Sequence, residues 1–293
     1  MIAKALIPIA GTGSRLAPIT SAVPKAMLPL PAGPEAMLPV LHWICAEAAA
    51  AGANEVLLIA SPWQQALVAA YLDSAGKSGG PPLPERIEIA IQETPAGFGD
   101  AVARGRDFVG GEDFMLLLGD HVYIPAGPAR AACAAQVAMA HENVRGAATI
   151  GVQAVGADEL SRVGVPAGEP VGDRLYRCTR FVEKPDPAAA ARRLVTPGLP
   201  AGQFLAHCGI YIFTSEIFDC LAALAGNPPT CRRQAGAARR GAELQLADAQ
   251  GVLLDRHGRD YYLYRIHGRA YDTGTVGNYV KAVAAFAEKH LKQ

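Results

Sequence analysis

Largely apolar runs at Ala3–Ala10, Glu55–Ala60 and Phe114–Leu118 each stop at a small or polar residue: Gly11, Ser61 and Gly119. Unbroken runs of that length suit strands buried on both faces of a sheet. Between them the pattern turns helical. Val40–Ala51 is Ala-rich, opened by Pro39 and closed by Gly52. A second helix opens at Ser61-Pro62-Trp63 and runs to about Tyr71. Arg86–Ile91 alternates like a strand, and Gly97–Phe108 reads as a helix. Strand and helix in alternation predict an α/β fold, with a largely parallel sheet covered by helices on both faces.

The second half is richer in strands. Thr149–Ala154, Gly164–Pro166, Leu175–Lys184, Phe204–Phe213 and Tyr261–Ile266 carry strand patterns joined by short turns. Helices are predicted at Ala188–Leu194, Ser215–Leu224, Ala242–Ala249 and Thr275–Leu291. Ser215 serves as an N-cap, with Glu216 in the first turn. Pro31–Pro39 and Asn227–Gly241 read as loops rich in helix-breaking residues. Without an internal repeat or low-complexity linker, residues 1–293 read as one domain. Its first part (1–145) alternates strand and helix, and its second (146–293) is the strand-rich part.

Composition narrows the class. The chain is 51% hydrophobic and 18% charged, as in an ordinary soluble globular protein. Basic and acidic residues both number 27, so no net field draws it to nucleic acid or an anionic membrane. Arg232-Arg233 and Arg239-Arg240 read as a solvated loop. The six cysteines (Cys45, Cys133, Cys178, Cys208, Cys220 and Cys231) include no Cys-x-x-Cys pair, which argues against zinc or redox motifs. They read as buried, reduced thiols of a cytoplasmic protein. No apolar stretch reaches the roughly 18 residues of a membrane span, and the N-terminus has no signal-peptide layout.

Candidate chemistry gathers where strands end. In Ala10-Gly11-Thr12-Gly13-Ser14-Arg15, Gly11 and Gly13 permit positive φ, and the exposed N–H groups form an anion-binding concavity. Arg15 adds a forked donor and Lys25 a point charge, which together suit a polyphosphate. This is neither a Walker A loop, lacking Gly-Lys-Ser/Thr, nor a dinucleotide fingerprint, since Leu16 stands at the third glycine position. Gln92 follows a strand, and its carboxamide can read the imide edge of a pyrimidine. Asp120 ends the strand Leu116-Leu117-Leu118-Gly119, a position for a hard oxygen ligand to a divalent ion at the carboxyl edge of a sheet. Glu183-Lys184-Pro185 closes another strand, with Lys184 suited to a phosphate monoester and Glu183 to sugar hydroxyls. Taken singly, each of these also fits an ordinary turn or exposed ion pair.

The run from Ala10 to Arg15, followed by Pro24-Lys25-Ala26-Met27-Leu28-Pro29-Leu30, resembles the sugar-1-phosphate nucleotidyltransferases, in particular bacterial UTP–glucose-1-phosphate uridylyltransferases. Further motifs follow in family order to about Tyr279. The resemblance implies a Rossmann-like nucleotidyltransferase fold with a mixed, mostly parallel central sheet. It implies nucleotide binding by Ala10, Gly11, Gly13, Arg15, Lys25, Gln92, Gly97 and Asp120. Sugar and phosphate would fall to Gly164, Glu183, Lys184, Gly209 and Glu243. Mg²⁺ would rest on Asp120 and Asp272, and Arg15, Lys25, Asp120 and Lys184 would be catalytic.

The expected partners are a nucleoside triphosphate and a sugar-1-phosphate, in a homo-oligomer of two or four copies. No nucleophilic elbow or Cys–His pairing is visible, consistent with direct displacement at the α-phosphorus. The sequence departs from the uridylyltransferases at Asp100, where His is common, and at Pro31–Pro39, which is longer and carries Leu38 in place of a Lys. Gly119-Asp120-His121 and Asp272-Thr273-Gly274 lean toward thymidylyltransferases, leaving dTTP as an alternative to UTP. A sugar-nucleotide-binding relative without turnover is the other alternative.

Overall fold

In a computed structural model, which describes residues 2–75, 79–127, 130–226 and 243–291, the apolar runs form the middle of one sheet. The first half supplies β1 (Lys4–Pro8), β2 (Pro29–Gly33), β3 (Ala36–Pro39), α1 (Val40–Ala50), β4 (Glu55–Ala60), α2 (Pro62–Ala75) and β5 (Arg86–Ile91). It continues with α3 (Phe98–Ala103), α4 (Arg106–Val109), β6 (Phe114–Leu117), β7 (His121–Pro125) and α5 (Cys133–Val144). The second half supplies β8 (Ala148–Gly156), β9 (Gly164–Gly172), β10 (Leu175–Glu183), α6 (Pro187–Arg193), β11 (Gln203–Phe213) and α7 (Glu216–Gly226). It closes with α8 (Leu246–His257), β12 (Tyr261–Arg265), β13 (Gly268–Asp272) and α9 (Val276–His290).

Among the described residues the main sheet has nine strands in the order β5-β4-β1-β6-β11-β8-β12-β10-β9. The β5-β4-β1-β6 half is parallel throughout. β11 runs antiparallel to both β6 and β8, so it joins the two halves of the chain. β12 lies parallel to β8, and β9 and β10 close the edge antiparallel. The sheet is therefore mixed with a parallel core, and it runs unbroken from the first half of the chain into the second.

Alternation along β1 divides the core. Ala5 and Ile7 face a cluster with Ile44 of α1 and Phe286 of α9. Leu6 faces the opposite cluster, with Phe218 of α7 and Leu253 of α8. Two apolar layers with helices outside each is the arrangement the buried strands require. A smaller cluster, including Leu160, Val165, Leu194 and Phe204, fills the far end.

Some expectations are corrected. The predicted helix Gly97–Phe108 is two helices broken at Gly105, where a side chain would collide with Leu6 of β1. Pro31–Pro39 is not a loop: it contributes most of the β2–β3 hairpin, which carries the Tyr279 hydroxyl donating to the Pro29 carbonyl at 2.6 Å. The helix placed at Ala242–Ala249 starts only at Leu246 and continues to His257. α5, β7 and β13 were not anticipated. The Asn227–Gly241 stretch, its four arginines, Cys231 and Ala242 lie outside the described residues. The other five cysteines are free and buried, as expected. No helix among the described residues is long and apolar enough to cross a membrane.

One buried acid ties α1 to α5. Glu47 Oε1 accepts from the Ala134 N–H at 2.7 Å, in the first turn of α5. Burial pushes its carboxyl up to about 7, against the opposing pull of that N–H and of Lys289. A raised folded pKa makes its contribution complete below the unfolded value of about 4.5 and lost as pH rises toward 7. The shift corresponds to about 3 kcal/mol. Glu47→Gln keeps an acceptor for Ala134 without an ionisable proton. The variant is expected to melt higher than wild type at pH 8, with the gap closing toward pH 5. Thermal melts of both proteins across that range test this, and a pH-independent gap would contradict it.

Candidate active site

The turn after β1 is held open by its own geometry. Gly13 sits at φ 66° and starts a single 3₁₀ turn, Ser14–Leu16. The Thr20 hydroxyl donates to the Gly13 carbonyl at 2.9 Å, closing the loop on itself. Gly11, Thr12, Ser14 and Arg15 are left exposed. Gln64 of α2 is buried beneath the loop, and its amide nitrogen lies 3.5 Å from the Gly11 carbonyl.

Asp120, just past β6, gathers the rest. Lys25 Nζ stands 2.5 Å from Asp120 Oδ2, and His121 Nδ1 stands 2.8 Å from Oδ1. Burial pushes the Asp120 carboxyl up, but Lys25 and His121 outweigh it and hold it well below the usual carboxylate range. The His121 ring is shifted the other way. Burial lowers it, and Lys25 does so to a smaller extent, but Asp120 and Asp272 outweigh both, for a net rise.

Asp272 arrives from the far end of the chain because β13 pairs antiparallel with β7, setting Asp272 opposite His121. Both the N–H and the hydroxyl of Thr273 donate to the Asp120 carbonyl, at 2.7 and 2.9 Å. The Gly274 N–H and the Asn278 amide hold the Asp272 carboxylate at 2.6 and 3.3 Å. Asp120, His121 and Asp272 each offer a ligand atom, all within 4.8 Å of one another. Gly274 is the tight point. A Cβ there would lie 2.7 Å from Asp272 Oδ1, 3.1 Å from Arg15 Nη2 and 3.2 Å from Asp120 Oδ2. Arg15, Lys25, Asp120 and Asp272 are therefore brought together from four separate stretches.

Gln92 is buried at the end of β5. Its amide nitrogen donates to Asp100 Oδ2 at 2.7 Å and to the Gly97 carbonyl at 3.2 Å. Leu244 runs alongside this loop: its N–H donates to the Ala96 carbonyl at 2.9 Å and its carbonyl accepts from the Gly99 N–H at 2.8 Å. Glu243 thus stands beside the Gln92–Gly97 loop, ahead of α8 and not within it. It accepts from the Gln245 amide at 3.1 Å. No hydrogen bond or ion pair joins it to Glu183 or Lys184 among the described residues.

The remaining residues lie across β11. Lys184, half-exposed at φ 50°, has its Nζ 3.3 Å from Glu183 Oε1. A Cβ on Gly164 would lie 2.9 Å from Glu183 Oε2 and 2.8 Å from His207 Nδ1. Gly209 faces the His121 ring and the Tyr123 hydroxyl, each 3.0 Å from where its Cβ would stand. Burial, with the charges of Glu183 and Asp120 both within range, raises the Tyr211 phenol.

The nucleotidyl transferase family profile matches residues 4–289. The chain belongs to the nucleotidyltransferase family. A UTP–glucose-1-phosphate uridylyltransferase of Staphylococcus saprophyticus is 30% identical over 98% of this chain and 93% of its own length. A second protein of that name from the same organism is also 30% identical, over 98% and 93%. A UDP-glucose pyrophosphorylase crystallised with UDP-glucose superposes with a TM-score of 0.77 at 25% identity, covering 99% of this chain and 100% of that one. A UTP-bound enzyme from Acinetobacter baumannii, 23% identical with a TM-score of 0.73 over 99% and 95%, shares the fold. The family resemblance carried by the motifs thus holds along the whole nucleotidyltransferase chain, and the protein is an enzyme of this kind.

Sequence reasoning missed three side chains that this nucleotidyltransferase places at its centre: Tyr123, His207 and Tyr211. The signal was present in His207-Cys208-Gly209-Ile210-Tyr211, where a strand interior carries polar side chains four residues apart on one face. His207 is buried against Phe181 and Tyr211, and its Nε2 finds no hydrogen-bond partner among the described residues. Burial pushes the His207 imidazole down to about 4.

Gly274→Ala puts a methyl group among Arg15, Asp120 and Asp272. Turnover is expected to fall at least about tenfold, since small misplacements of positioned groups are costly. The melting temperature should move little. Steady-state kinetics beside a thermal melt test this, and wild-type turnover would show the acids to be free of that contact.

Proposed function

We propose that this enzyme joins UTP to glucose-1-phosphate, giving UDP-glucose and pyrophosphate. The observation that carries the reading is the meeting of Arg15, Lys25, Asp120 and Asp272 at the Gly-rich loop, in a chain that matches uridylyltransferases end to end. Two cations beside exposed backbone N–H groups suit the triphosphate. Gln92, its amide nitrogen held by Asp100 and Gly97, has its carbonyl oxygen left to accept from the imide N–H of uracil. Glu183, close against Gly164, suits sugar hydroxyls, and Lys184 beside it suits the sugar phosphate.

The donor set fits Mg²⁺, because Asp120 and Asp272 present hard carboxylate oxygens close together. Held there, Mg²⁺ would supply charge neutralisation at the phosphates. Lys184 orients the sugar phosphate so that its oxygen attacks the α-phosphorus. The bond to pyrophosphate breaks on the opposite side. Arg15 and Lys25 stabilise the charge that spreads onto the leaving phosphates. Lys25 is paired with Asp120 before substrate arrives, so binding exchanges one electrostatic partner for another.

Asp272-Thr273-Gly274 favours a second reading, in which dTTP is the nucleotide. Uracil and thymine present the same imide edge to Gln92, so the ribose pocket and the 5-position decide. Pyrophosphate release across five nucleoside triphosphates and several sugar-1-phosphates tests both readings. UTP with glucose-1-phosphate is expected to be fastest; release with no combination would leave a binding protein without turnover. Asp120→Asn and Lys184→Ala are each expected to lose about a hundredfold or more in rate while keeping a native far-UV circular dichroism spectrum. A wild-type rate in either variant would remove that residue from the mechanism.

A further inference from the structure

At the start of β13, three arginines meet. Arg174, Arg265 and Arg269 line a recess of about 240 Å³ together with Gln153, Ala154 and Gly268. None of the three has a carboxylate partner among the described residues. The carboxylate that acts on Arg174 is Asp173, which is exposed in the turn between β9 and β10.

The recess is built, not a chance meeting of surface side chains. Arg174 sits at φ 56° and folds back across the end of β12. Its Nε donates to the Arg265 carbonyl at 2.5 Å, and its Nη2 donates to the Ile266 carbonyl. That fixes the guanidinium beside a second one, against their mutual repulsion. Burial lowers the Arg174 pKa, and the neighbouring Arg265 charge lowers it further. Arg265 Nε is buried with no hydrogen-bond partner. An unpartnered buried donor on a charged group is costly, and a fold retains one where something else satisfies it. Gln153 braces the opposite wall by gripping Ala270 of β13 in both directions, at 3.1 and 3.5 Å.

We propose that this recess is a binding site, separate from the active site, for a small anion bearing phosphate groups with two or more negative charges. Forked guanidinium donors match phosphate oxygens in pairs. Three like charges with a single exposed counter-charge are relieved most by a multiply charged ligand. Arg269 lies on the strand that ends at Asp272, so an anion seated here stiffens the element that carries one of the paired acids. The site does not depend on which nucleotide the active site takes.

Inorganic pyrophosphate is a suitable probe, used without divalent metal. The active-site cations must first be removed, since they bind the same chemistry. The Arg15→Ala, Lys25→Ala double variant is expected to retain one pyrophosphate per chain in equilibrium dialysis. Adding Arg265→Gln and Arg269→Gln to it should weaken the retained binding at least tenfold. Arg269→Gln alone changes only an exposed side chain, so it keeps the test open should the fuller variant fail to fold. It should weaken binding severalfold. No binding in the active-site variant, or binding indifferent to both arginine substitutions, would overturn the proposal.

Discussion

Asp120 holds together three parts of the chain that are far apart in sequence. Its carboxylate takes Lys25 from the loop after β1 and His121 from β7, and its carbonyl takes Thr273 from the end of β13. The carboxylate is mostly out of water, which by itself would favour the neutral acid. Lys25 and the His121 ring reverse that preference, so the group stays ionised. Removing one partner from a fully buried pair costs about 3–5 kcal/mol. With 17% of each side chain still exposed, the Lys25–Asp120 pair lies below that limit. It is strong enough to order the loop and weak enough to be exchanged.

The sheet explains why these groups can meet. Parallel strands β5, β4, β1 and β6 all end on one side, so the turns after them share an edge. That edge collects the Gly-rich loop, Gln92 and Asp120, as expected for ligand sites in open α/β sheets. β11 then runs the other way through the middle. Its central residues therefore face both the Asp120 group and the Glu183 group, and Tyr211 feels the charge of each. A wholly parallel sheet would have left the second half of the chain without a strand through this junction.

Much of this was legible in the sequence, for a physical reason. A strand buried on both faces must be largely apolar, as Glu55–Ala60 is, and Arg86–Ile91 alternates as a half-buried strand does, so both could be bounded from the pattern alone; they match β4 and β5 residue for residue. Arg15, Lys25 and Asp120 were legible because each sits next to a strand end within a specific motif. What escaped was set by contacts distant in sequence. The β2–β3 hairpin hides in a proline-rich stretch because Tyr279, about 250 positions on, supports it. The break at Gly105 reflects the position of Leu6, which no local period encodes. Leu244 reads as part of a helix, yet its backbone is claimed by Ala96 and Gly99.

The same logic locates where the fold departs from its own rules. Buried polar atoms are nearly always paired, and the exceptions ask for a reason. Two of the exceptions here, the Tyr123 hydroxyl and His207 Nε2, flank the middle of β11, where its register against β8 shifts between His207 and Tyr211. The shift leaves Gly209 at φ 83°, opposite His121 and Tyr123. A regular strand would have paired straight through and brought side chains into that space. An unpaired ring nitrogen, a displaced register and a glycine at the crossing all fall on the one strand that joins the two halves, and the unpaired Tyr123 hydroxyl faces it from β7. Local consistency has been given up there and retained nearly everywhere else in the core, the pattern expected where packing yields to a ligand.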